Sequence, residues 1–177
     1  MNNVSMNLSE HFSLAEMCKT SANLDNVPNE AQVENLKRLC GWLELLRDQY
    51  NERYGDGVGD IPIIINSGYR SEEVNRKCGG AKGSNHLTGC AVDIHCYGPE
   101  QMIRMAGILL DIADGTKRDL TSSRVCSRSA ESIQASLCAR STADFDELII
   151  EKRGTTYWVH FAVRPKDNRR KILFVCR

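Results

Sequence analysis

The chain has 177 residues, enough for one domain with a sizeable core, and its 23 Lys plus Arg are balanced by 23 Asp plus Glu. A nucleic-acid binder carries a basic excess or a basic stripe; this chain has neither, so nucleic acid is not an expected partner. No apolar run approaches the ~20 residues that span a bilayer, and the start, MNNVSMNLSEHF, lacks the basic and apolar regions of a secretory leader. A protein without membrane insertion, cytoplasmic as synthesised, is the expectation. A target in the cell wall would then need a separate release step, such as a phage-type lysis system.

In chain order, Ser13 to Glu16 (SLAE) fits a capping box opening a short helix, and Asn29 to Gln32 fits a second. Leu36, Leu39, Cys40, Leu43, Leu46 and Tyr50 then recur at helical spacing, which predicts an amphipathic helix over 30–50 with Lys37, Glu44 and Arg47 off its buried stripe. His11 has no motif around it and is expected at the surface. The Gly-rich YGDGVGD at 54–60 leads into IPIII at 61–65, whose β-branched run predicts a buried strand. A helical turn is expected from Ser71 to Lys77 and a loop over 78–89, where four glycines cluster. CAVDIHC at 90–96 reads as a strand, and Pro99 as the first residue of a helix to about Ala113 with Met102, Ile103, Met105, Ala106, Leu109 and Leu110 apolar.

Residues 120–143 change texture: they are rich in Ser, Ala and Arg with weak periodicity, and read as an insertion or exposed loop. DELII at 146–150, YWVHFAV at 157–163 and KILFVC at 171–176 read as strands, the first two joined by a turn at Gly154. Helices first and strands later predict an α+β fold in one domain spanning 1–177. The eight cysteines include no C-x-x-C pair, and in a reducing compartment they are expected as free, buried, small apolar residues.

The chemistry concentrates in Ser84-Asn85-His86-Leu87-Thr88-Gly89-Cys90-Ala91-Val92-Asp93. Gly89 lets the chain turn sharply between a loop histidine and a strand carboxylate, so the two can converge. Strand alternation puts Ala91, Asp93 and His95 on one face, and an acid inside a strand is costly unless paired or metal-bound. His160 sits mid-strand on the face of Trp158 and Ala162. Two histidines and a carboxylate form the three-ligand pattern of a catalytic zinc site. Spacing alone is a weak signal and also allows a metal-free protein in which these residues are structural.

The string Ser84-x-His86-x6-Asp93, preceded by Ser67-Gly68-Tyr69-Arg70-Ser71 and followed by Trp158-x-His160, resembles the M15 family of zinc D,D-carboxypeptidases and peptidoglycan endopeptidases. The lead-in from Phe12-Ser13-Leu14 to Leu45-Leu46-Arg47 is similar to subfamily A. The resemblance implies helices packed on a small antiparallel sheet, as in hedgehog and D,D-peptidase folds. It implies one Zn2+ per chain on His86, Asp93 and His160, a peptidoglycan peptide as substrate, Arg70 steadying the oxyanion or substrate, and Ser84 bonding substrate. A monomer is expected. Relatives place an acid three residues before the last histidine, where this chain has Tyr157. Glu151 is the substitute: if the hairpin sets residue 151 opposite Trp158 it shares the face of His160, and if opposite Tyr157 it points away. His95, two residues beyond Asp93, is a secondary candidate for a polarising group. A non-catalytic zinc-binding domain of the same fold is the alternative.

Overall fold

The computed structural model describes residues 6–118 and 144–176. The predicted insertion at 120–143 lies outside them. The elements are α1 (Leu14–Met17), α2 (Glu30–Tyr54), β1 (Ile65–Ser67), α3 (Glu72–Lys77), a 3-10 turn (Asn85–Thr88), β2 (Ala91–Cys96), α4 (Pro99–Arg118), β3 (Glu147–Arg153), β4 (Thr156–Ala162) and β5 (Lys171–Cys176). This is the α+β architecture expected.

Helix α2 starts where the capping box places it: the Asn29 side chain accepts from Gln32 N at 3.0 Å, and Gln32 Oε1 accepts from Asn29 N at 2.7 Å. Leu36, Leu39, Cys40, Leu43 and Leu46 are buried, as the periodicity predicts. Glu44 departs from it. Its carboxylate is buried against the N-terminal segment, where it accepts from Ser9 Oγ at 2.6 Å and His11 N at 2.8 Å and pairs with His11 Nδ1 at 2.7 Å. Three partners compensate its desolvation, and His11 is a tether rather than a bystander. In α4, Met102, Met105, Ala106, Leu109, Ile112 and Ala113 are buried, whereas Ile103 is 61% exposed.

The five strands lie in the order β1-β2-β4-β3-β5. Four pair antiparallel, as expected, but β5 runs parallel to β3. The reason is the path of the chain. Strand β4 ends at Ala162 beside Glu147, the start of β3; the link 163–170 passes that end of β3 and begins β5 at Lys171, also beside Glu147. The predicted strand at 61–65 is mostly extended coil. Pro62 has no N–H, and the polar groups of Ile61 are taken by the Asn51 side chain (Ile61 N to Asn51 Oδ1 2.6 Å, Asn51 Nδ2 to Ile61 O 3.1 Å), so pairing with β2 begins only at the Ile64 carbonyl, which accepts from His95 N at 2.8 Å.

One face of the sheet packs on α2 and α4 through Val92, Ile94, Leu148, Ile150, Val159 and Phe161, with Trp42 against Phe161 at a ring separation of 5.3 Å. Alternation turns Asp93, His160, Ile149 and Glu151 to the opposite face. Six described cysteines are free thiols; Cys40, Cys90 and Cys96 are buried as expected, but Cys78 and Cys176 are exposed. No described helix is long and apolar enough to cross a membrane.

Candidate metal centre

The segment from β1 to α3 builds one wall of the site. Gly68 follows β1 with its carbonyl accepting from His86 Nδ1 at 2.6 Å, which leaves Nε2 free to face Asp93. A side chain at Gly68 would collide with the carbonyl of Met17. Arg70 donates Nε to Ser67 Oγ at 2.8 Å and Nη2 to Asp93 Oδ2. Ser71 caps α3 by accepting from Val74 N. The Ser-Gly-Tyr-Arg-Ser motif thus orients one histidine, holds one carboxylate and starts one helix.

The Ser84 hydroxyl accepts from His86 N and opens the 3-10 turn; Gly89 closes it in the left-handed region at φ 70°. Strand β2 follows at once, and its register sets Asp93 opposite His160 on β4. His86 Nε2 lies 3.3 Å and His160 Nδ1 2.9 Å from Asp93 Oδ1. One donor atom from each of the three residues falls within 4.8 Å of the others. Neighbouring ligands of a tetrahedral zinc with bonds of 2.0–2.1 Å are about 3.3 Å apart, so these spacings fit a zinc ion. Each donor residue is also held on its outer side: His86 by Gly68, Asp93 by Arg70, and His160 by Glu147, whose Oε2 is 3.7 Å from His160 Nε2. Such outer contacts orient metal ligands.

The electrostatics follow from these partners. Burial would raise the pKa of Asp93, but hydrogen bonds from His160 and His86 overcome it and hold the carboxyl well below its usual range. Burial disfavours the charged form of His160, yet Asp93 and Glu147 push its pKa up to about 9.

The three residues open on a cleft of about 520 Å³ that Arg70, Ser84, Asn85, Glu147, Glu151, Arg153, Trp158 and Arg169 also line. The hairpin register is Glu151 opposite Trp158 and Ile149 opposite His160. Glu151 therefore lies on the face of His160, the first of the two registers considered from sequence. Tyr157 is on the other face and packs against the core. His95 is not brought into the cluster: it stands opposite Trp158, with its ring edge-on to Tyr97 at 4.9 Å, and does not line the cleft.

Two residues of this site, Asn85 and Arg169, are not singled out by the sequence, and two more, Asp146 and Glu147, begin the strand that Glu151 closes and lie further from the turn, which is why the sequence favours Glu151 over them. Glu147 is the acid next to His160, and its pKa is lowered to about 2, chiefly by His160 and then by Lys171 and Arg169. Asn85 adjoins a motif histidine and was within reach of inspection; nothing in the spacing marks Arg169.

No curated protein matches the chain. Residues 10–111, well over half of the sequence, match the peptidase M15 family. The matched span contains the Ser-Gly-Tyr-Arg-Ser turn, His86 and Asp93, and the sheet register supplies His160 from beyond it. With the lead-in helix, the arginine turn and the histidine–aspartate segment all inside that span, the chain belongs to the peptidase M15 family.

Proposed function

We propose that this protein is a zinc peptidase acting on the stem peptides of bacterial peptidoglycan, at D-Ala-D-Ala or a similar bond, with one Zn2+ held by His86, Asp93 and His160. The observation that carries the reading is the buried His–Asp–His cluster at the floor of an open cleft in a peptidase M15 chain. Zinc at such a site supplies Lewis acidity toward the scissile carbonyl and an acidified water. The chain's own residues do the rest. Arg70 holds Asp93 in place, and its remaining N–H groups face a substrate in the cleft. Ser84 lines the cleft and offers a hydroxyl to the substrate. Arg153 also lines the cleft and offers a cation to a carboxylate of the peptide.

Glu151 takes the proton of the attacking water and returns it to the leaving amine. Glu147 is nearer the ligands, but its oxygens are taken by Asn85 at 3.0 Å, Arg169 at 3.0 Å and Lys171 at 3.3 Å. Glu151 has the same face and, among the described residues, no such clamp. Zinc-loaded protein is expected to release defined fragments from purified muropeptides, read by mass spectrometry, and to stop on chelation. Glu151→Gln should keep zinc and lose about 100-fold or more in rate, the scale for removing a general acid–base group. If Glu151→Gln stays active while Glu147→Gln or His95→Ala is dead with zinc intact, the proton passes through that residue instead. No cleavage by fully zinc-loaded protein favours the second reading, a non-catalytic zinc module, for which the clamped Glu147 is the supporting observation.

A further inference from the structure

Asp146 is a carboxylate with no exposed surface, in a position that touches none of the three donor residues. A buried charge of this kind is tolerated only when fully bonded, and five N–H contacts converge on it. Oδ1 receives Arg164 Nη2 at 2.6 Å, Arg169 Nε at 2.8 Å and Arg169 N at 3.2 Å; Oδ2 receives Arg169 Nη2 at 2.6 Å and Asn85 Nδ2 at 2.8 Å. Both arginines belong to the link that passes the end of β3 between β4 and β5, so Asp146 pins that crossing.

Two of its partners reach on to the metal centre. Asn85 Nδ2 donates to Glu147 Oε2 at 3.0 Å as well as to Asp146, and Asn85 is the first residue of the turn that presents His86. Arg169 Nη2 contacts Glu147 Oε1 at 3.0 Å as well as Asp146. Glu147 thus stands between two groups that Asp146 orients, with its Oε2 toward His160. The backbone closes the same circuit: Asp146 N donates to Ala162 O at 2.7 Å, two residues from His160.

We infer that Asp146 is a positioning residue for the metal centre, setting the His86 turn through Asn85 and the Glu147–His160 contact through Arg169. The inference rests on the metal site proposed above and concerns how tightly and in what geometry that site holds its ion. Removing an outer partner of a metal ligand costs about 10- to 100-fold in metal affinity, and Asp146 supports one such contact, Glu147 on His160, together with the turn that carries His86.

The test is metal binding itself, measured well below the melting temperature. Zinc affinity by competition with a chelating dye and the visible spectrum of the Co2+ form are recorded for wild type, Asp146→Asn, Asn85→Ala and the double variant. Affinity should fall about 10- to 100-fold in Asp146→Asn and by a smaller factor in Asn85→Ala. The double variant should be no worse than Asp146→Asn, because both lie on one chain of contacts. The Co2+ bands should shift in each, a change that a general loss of stability would not produce. Folded Asp146→Asn with wild-type affinity and spectrum overturns the inference. Should Asp146→Asn fail to fold, Asn85→Ala decides: it leaves both arginine pairs in place, and wild-type affinity there also overturns it. A wild-type protein that binds no zinc sinks the metal site instead, which keeps the two failures apart.

Discussion

Gly89 joins the loop that carries His86 to the strand that carries Asp93, and replacing it by Ala tests that junction. Its φ is 70°, and a Cβ there would meet the carbonyl oxygen of Gln32 at 2.6 Å and Leu36 Cγ at 3.3 Å. The left-handed backbone costs an L-residue about 1–2 kcal/mol. The contact with a helix carbonyl forces a shift of α2 or of the turn, on the order of 1–3 kcal/mol for overpacking. Together they predict a loss of about 2–5 kcal/mol, or roughly 5–15 °C in a domain of this size. Gly154, in the hairpin, is the internal control: its φ is 57° but no atom lies within 4 Å of a Cβ there, so Gly154→Ala carries the backbone cost alone. Thermal unfolding of both variants by circular dichroism separates the two costs. Equal losses would refute the clash, and a Gly89→Ala protein melting within 1 °C of wild type would refute the whole account. Because Cys90 N and Gly89 N close the turn on Asn85 O and His86 O, zinc affinity should fall in Gly89→Ala and hold in Gly154→Ala.

His86→Ala should lose most bound zinc in elemental analysis; full stoichiometry in that variant would show that the ligand set is different. In native protein, alkylation at pH 8 should label Cys78 and Cys176 and spare Cys40 and Cys96, whose thiols burial pushes up to about 12, until denaturant is added. Burial would raise the Asp146 pKa, but Arg169, Arg164 and Asn85 hold it below the usual carboxylate range. Its stabilisation is therefore present above the unfolded value of about 3.9 and lost as pH falls through the lower folded value. Arg169→Met removes two of the donors, so the loss should be smaller and be complete at a higher pH in urea unfolding between pH 2.5 and 6; an unchanged profile would contradict the pairing.

What was legible in the sequence is what local chemistry determines. The Asn29–Gln32 box and the spacing of Leu36 to Tyr50 specify α2 without help from the rest of the chain. Ser67 to Ser71 and Ser84 to Asp93 are short segments joined to each other by Arg70 on Asp93 and by His86 on Gly68, so their residue types expose their task. The failures are tertiary. Glu44 is polar and was placed outside the buried stripe, but the N-terminal segment folds over it with donors from Ser9 and His11. The apolar run Ile61 to Ile65 has the composition of a strand, yet a helix side chain captures the polar groups of Ile61. The parallel β5 depends on where a link crosses, which no period in KILFVC records.

The same division runs through the metal centre. His86 and Asp93 are brought together by one tight turn, but His160 reaches them only through the register of β2 on β4. Side chains alternate along a strand, so a slip of one residue would send His160 into the helix-facing core and put Val159 or Phe161 in the site. The register is therefore as much a part of the site as the histidine. It is fixed at one end by Val163 N on Cys90 O at 2.8 Å, and β4 is tied there to the β3 side by Asp146 N on Ala162 O at 2.7 Å. Both bonds lie where β4 leaves the sheet, beside the arginine clamp on Asp146. A motif search reads the histidine and the aspartate and passes over this clamp, because its members, Asn85, Asp146, Arg164 and Arg169, are joined only across the fold.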